Sequence, residues 1–241
     1  MTYYLSFDCA TKTFAFILVK INMDHLFVNI NELRNIIKIC ENKLKTDGYS
    51  DEIGKIINKI DSNTNDIIQI ITCNCIDLIP GIANKDINTV ERVKIVSNYT
   101  KNEIYPLISE IPKDDLNVLI EFQMSHNTQS KIVSIALLSL FSDYNLFLVN
   151  PSLKNKLNFT ENGKYCYFME KYKNSYDANK KHALYNYKEF ERIFDQTTNI
   201  SDKLKGHIAD AFMQIFGHIL FPMNIDLTSN KKKPMKHKNN K

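Results

Sequence analysis

Residues 3–20 read Tyr-Tyr-Leu-Ser-Phe-Asp-Cys-Ala-Thr-Lys-Thr-Phe-Ala-Phe-Ile-Leu-Val-Lys, two aromatic and β-branched runs around a short turn at 10–12. That pattern predicts an antiparallel hairpin and commits the chain to a sheet whose first strand is core. Asp8 interrupts this strand. A carboxylate among core residues is costly unless it is paired or holds a metal; a turn-capping Asp is the plain alternative. Glu121 follows the apolar run 116–120, and Asp210 lies within His-Ile-Ala-Asp-Ala-Phe at 207–212. Three acids on core elements far apart in sequence predict one metal site assembled by the fold.

A chain of 241 residues can bury a core of its own, and a domain over 1–224 with a tail at 225–241 is expected. No apolar N-terminal leader is expected, because Asp8 and Lys12 break the opening run. The longest apolar stretch, 132–149, contains Asp143 and Asn145, so no membrane span is expected. Five cysteines without framework spacing fit a reducing compartment. Cys73 and Cys75 are too close for a zinc knuckle and read as strand positions. The net charge of +4 is unevenly placed. Six lysines and no acid fall in 231–241, and seven lysines against three acids in 151–181. Clustered lysine suits a phosphate backbone. For the tail, a solubilising end or a nuclear-localisation-like address is the alternative.

In chain order, 22–66 reads as a helical insertion at the sheet edge. A β-branched strand is predicted over 66–78, a helix over 87–109 and a short buried strand over 116–121. Residues 128–141 are apolar almost all round, which predicts a central buried helix or an interface helix. A strand at 145–149 leads into the basic segment, where Tyr165, Tyr167, Phe168, Tyr172 and Tyr176 alternate with lysines and can stack on bases or simply face solvent. Helices over 179–194 and 206–220 close the domain. The order predicts a mixed five-stranded α/β domain of the ribonuclease-H-like kind, flanked by helices and followed by a disordered basic tail.

Four segments resemble one family. Ser6-Phe-Asp8-Cys-Ala-Thr-Lys-Thr-Phe, Ile120-Glu121-Phe-Gln123-Met, Asn150-Pro151-Ser-Leu-Lys154-Asn-Lys156 and Lys205-Gly-His207-Ile-Ala-Asp210-Ala-Phe-Met are similar to RuvC-type Holliday junction resolvases. The poxvirus, large-DNA-virus and fungal mitochondrial branch is the nearest in pattern, and the resemblance spans about 3–21 and 66–221. It implies a homodimeric endonuclease that cuts four-way DNA junctions, with Asp8, Glu121, His207 and Asp210 around two divalent ions, Mg²⁺ or Mn²⁺. His207 stands where most relatives carry Asp; it lies three residues before Asp210, on the same helix face. Asp202 is the alternative fourth ligand, and a structural His207 the remaining one. An imidazole ligand shifts preference toward Mn²⁺.

The same resemblance marks Lys12, Gln123, Asn127, Lys154, Lys156 and Lys205 as candidates for contact with DNA; solvated lysines and loop hydrogen bonds are the plain alternatives. It makes 128–141 the candidate dimer interface. No small-molecule cofactor and no membrane partner are expected. The implied location is intracellular: a viral replication compartment in host cytoplasm or nucleus, or a mitochondrion. His218 reads as a packing or dimer contact, and Cys9 as pointing away from Asp8. Three other readings stay open: a nuclease of the same fold acting on other branched DNA or RNA, a sugar-kinase or actin-like ATPase, and a junction-binding protein with a degenerate site.

Overall fold

Strands β1 (Thr2–Cys9) and β2 (Thr13–Ile21) form the hairpin, and β3 (Ile68–Asp77) adds antiparallel to β2. On the other side, β4 (Leu116–Glu121) and β5 (Asn145–Val149) run parallel to β1, giving a five-stranded sheet of order β3-β2-β1-β4-β5. This is the mixed, ribonuclease-H-like arrangement that the order of elements predicts. The computed structural model describes residues 1–10, 12–24, 68–81, 88–121, 128–156, 165–193 and 196–220. The proposed insertion (apart from 22–24) and the basic tail lie outside the described residues, as do Gln123 and Asn127.

Helices cover both faces, because alternate strand residues are apolar on both sides. Leu5, Phe7, Cys9, Phe14 and Phe16 face α1 (Thr89–Tyr99) and α3 (Thr128–Leu140). A π turn over Thr100–Ile104 joins α1 to the short α2 (Tyr105–Ile108), just ahead of Pro106, which has no N–H to continue an α-helical ladder. Tyr4, Ala15, Ile17, Val19 and Leu119 face α6 (Asp202–Leu220), on which α5 (Ser175–Ile193) packs. Phe190 and Phe212 meet at 4.3 Å between ring centroids in that second layer.

Several sequence expectations change here. Helix α3 is not buried all round: Ser130, Val133, Ser134 and Leu137 face the sheet, whereas Ile135 is 52% exposed. A helix on an outer layer needs only one buried stripe. Much of the basic segment is helical, with a 3₁₀ turn at Leu153–Lys156, α4 (Tyr165–Lys171) and an α5 that starts four residues before the predicted position. Its aromatics divide: Tyr165 and Phe168 pack on His182, Phe168 stacks on Tyr172, and Tyr167 and Tyr176 are exposed.

The open edge at β3 is partly covered. The Gln196 side-chain amide accepts from Ile70 N (2.7 Å) and donates to Ile68 O, imitating a neighbouring strand. Among the described residues no helix is long and apolar enough to cross a membrane.

Candidate active site

The register of the sheet places the first two carboxylates. Phe7 pairs with Ile120 across the parallel β1–β4 ladder, so Asp8 and Glu121 are the next residues at the same end of adjacent strands. The strand period of two turns both toward α6, the side also faced by Tyr4, Ser6 and Leu119. Cys9 turns the other way into the opposite core layer, and burial pushes its thiol well above the ordinary range.

Helix α6 supplies the rest. His207 and Asp210 are three residues apart and face β1 together. His207 Nδ1 lies 2.7 Å from Asp8 Oδ2, while Thr13 Oγ1 lies 3.0 Å from Nε2, so both ring nitrogens meet the opening hairpin. Asp202 opens the same helix, two turns earlier. His218 packs against Phe147 and Tyr4 at 4.5 and 6.4 Å between ring centroids, a packing role.

Two lysines tie the carboxylates together. Lys154 Nζ lies 2.9 Å from Asp210 Oδ1 and 3.7 Å from Glu121 Oε2, so those oxygens are separated by no more than the sum of the two distances. Its turn seats tightly on α6 because residue 217 is glycine: a Cβ there would come within 3.1 Å of Leu153 Cβ. Lys180, on α5, contacts Asp210 Oδ2 and lies 3.4 Å from Asp8 Oδ2. Sequence reasoning did not single out Lys180. A signal was present: 180, 183, 187 and 190 share helical spacing, and Ala183, Tyr187 and Phe190 are core. A lysine in phase with that stripe is placed to point inward.

The remaining candidates fall elsewhere. Lys154 was expected in a basic loop and is instead 7% exposed, fixed by two acids. Lys205 donates to Glu191 Oε2 at 3.1 Å, and Glu191 also accepts from Thr198 N and Oγ1, so this lysine ties α6 to α5. Lys12 stays exposed, 3.7 Å from Asp77. Lys156 ends the 3₁₀ turn next to the site.

The electrostatics follow from burial and pairing. Burial would raise the Asp8 pKa, but Lys180, His207 and Lys154 outweigh it and hold the carboxyl well below its ordinary range. Burial would likewise lower Lys154 and Lys180, and the facing carboxylates hold both above the ordinary lysine value instead. Glu121 goes the other way. Burial, together with Asp8 and Asp210, pushes it up to about 7 against the opposing pull of Lys154.

A pH dependence follows. Between 4.5 and about 7 the folded chain holds a proton on Glu121 that the unfolded chain has released, so metal-free stability falls as pH rises through that window. Asp8 has the opposite sign: its contribution is complete above its ordinary value of 3.8 and is lost on acidification. In EDTA, Tm is expected to decline from pH 4.5 to 7, and Glu121→Gln to flatten that decline. A Tm that climbs through the same window would contradict this.

The donor set suits a hard divalent cation, with three carboxylates and an imidazole converging from three segments. Once Glu121 is ionised, three carboxylates against two ammonium groups leave one negative charge uncompensated. Among the described residues, however, no three acid, His or Cys side chains stand ready-spaced around a single ion, because Lys154 and Lys180 lie between the acids. The residues therefore fit such an ion in chemistry and convergence, with the lysines setting the present spacing.

No family model matches the chain, and no curated protein sequence matches it. Solved structures similar to it include Thermus thermophilus RuvC, at 10% identity and TM-score 0.47, covering 92% of this chain and 95% of that one. T. thermophilus RuvC in complex with a Holliday junction substrate is similar at 9% identity and TM-score 0.45, with the same coverage.

Proposed function

We propose that this chain is a divalent-metal-dependent endonuclease that cuts four-way DNA junctions. The observation that carries this reading is the meeting of Asp8, Glu121 and Asp210, with His207, at the ends of two parallel strands and one helix face. The four resolvase-like motifs supply the substrate class. Asp8, Glu121 and Asp210 would hold the metal, and His207 would join them or orient Asp8. Bound there, the ions would supply a hydroxide nucleophile at neutral pH and stabilise the departing 3′-oxygen. Lys154 and Lys180 neutralise the carboxylates, and either ammonium can turn to a phosphate that enters the site. Lys12, Lys156, Gln123 and Asn127 are the candidates for gripping the flanking backbone, while exposed Tyr167 and Tyr176 offer faces for stacking.

Two symmetric nicks call for two sites related by a two-fold axis. The outward stripe of α3 around Ile135 is the candidate interface.

The test is to incubate the chain with a labelled four-way junction and a matched duplex, in Mn²⁺ and in Mg²⁺. Paired nicks in the junction alone are expected, with Mn²⁺ at least as effective as Mg²⁺. Equal cutting of the duplex would assign the fold to a less selective nuclease. A second reading is favoured by the two ammonium groups among the carboxylates: a protein that binds junctions without cutting them. Tight junction binding with no nicks in either metal would select it.

A further inference from the structure

We propose that Gln214 is a positioning residue for Glu121, an assignment that rests on the metal-dependent reading of the site. Gln214 lies one helical turn beyond Asp210 on α6 and is 1% exposed. Its Nε2 donates to Glu121 Oε2 at 2.9 Å, and its Oε1 accepts from Ser6 Oγ at 3.2 Å. Ser6 is fully buried on β1, two residues before Asp8 and on the same face. One amide thus spans the three elements that carry the site's carboxylates: β1, β4 and α6.

The chemistry of the amide fixes its sense. Once Glu121 is ionised its oxygens only accept, so the nitrogen end faces Glu121 and the Ser6 hydroxyl donates to the oxygen end. The reverse orientation would set two acceptors against each other. A lysine at 214 would bring a third cation into the cluster, and an acid would repel Glu121. A glutamine grips the carboxylate without changing the charge balance.

Glu121 needs this support because it is the last residue of β4, and its other partner among the described residues, Lys154, stands at 3.7 Å. Among the described residues both contacts fall on Oε2 and neither on Oε1. The amide therefore holds one oxygen while the other is left to turn toward a cation. A satisfied buried polar network of this kind fixes a side chain more firmly than apolar packing does.

The test uses the full chain carrying Gln214→Met, which keeps length and removes the donor. Three quantities are measured: Mn²⁺ binding by calorimetry without DNA, Tm in EDTA, and kcat against KM on the junction. Mn²⁺ affinity and kcat are each expected to fall by about tenfold, as for other partners of metal-holding side chains, with KM unchanged and Tm within a few degrees. If Gln214→Met does not fold, Ser6→Ala carries the same test, with an expected loss of about threefold because the amide keeps its bond to Glu121. Wild-type affinity and kcat in a folded variant would overturn the role of Gln214 alone. A parent chain that binds no Mn²⁺ would overturn this role together with the metal-dependent reading.

Discussion

Replacement of Asp8 by Asn is expected to lower junction cleavage by about 10³-fold or more, the scale on which enzymes lose activity when a charged group of the reacting centre is removed. Asn keeps the shape of the side chain and removes its charge. The loss is expected at this position because Asp8 links all parts of the site: it meets His207 at 2.7 Å and Lys180 at 3.4 Å, and it adjoins Glu121 across the β1–β4 ladder. The variant keeps a hydrogen-bonding oxygen toward Lys180, and Lys180 keeps Asp210, so the fold survives. Single-turnover cleavage beside a circular-dichroism melt separates the two effects. A variant that cuts within tenfold of the parent would remove Asp8 from the chemistry.

Lys154→Met is expected to produce the largest change in stability. Lys154 is the buried counter-charge for Asp210 at 2.9 Å and for Glu121 at 3.7 Å, with 9% of its side chain exposed. Methionine keeps the packing of the stem on α6 and removes the ammonium. Breaking a buried ion pair by deleting one partner costs about 3–5 kcal/mol, because the remaining charge stays in a poor solvent. Part of that is relieved here, since Lys180 still touches Asp210 and Glu121 binds its proton more tightly once the Lys154 charge is gone. A loss of about 3 kcal/mol at pH 8 in EDTA is therefore the expected result, read from urea denaturation. Millimolar Mn²⁺ should recover much of it, since a cation that binds only the folded chain stabilises by mass action. A loss below about 1 kcal/mol would put Lys154 among ordinary surface lysines.

The contrast between these lysines shows what could be read from the sequence. The hairpin, the buried β4 and a strand at β5 follow from strand alternation and apolar runs, and they account for most of the sheet and for the placement of Asp8 and Glu121. The i, i+3 spacing of His207 and Asp210 gave their common face. Burial of charge was harder to read. Lys154 sits in a stretch rich in lysine, and its inward ammonium goes with the close seating of its turn on Gly217 and with the acids it meets. Lys180 lies beside Lys181 in a run that reads as solvated, and its inward direction depends on α5 packing on α6. Lys205 reads as free for phosphate beside the motif helix, yet Glu191, 14 residues earlier, claims it. Helix α3 misled for a related reason: its apolar residues from Ile132 on are spread round the circumference, and one layer of sheet covers only one side. Gln214 escaped notice because a single amide in an apolar helix carries no pattern of its own.

Anomalous diffraction from crystals soaked in Mn²⁺ tests the central claim most directly. The account predicts anomalous peaks within about 2.5 Å of carboxylate oxygens of Asp8, Glu121 and Asp210, a span typical of oxygen ligands to divalent cations, with the Lys154 and Lys180 ammonium groups displaced. Peaks confined to other acids, or none while both lysines keep their ion pairs, would contradict it.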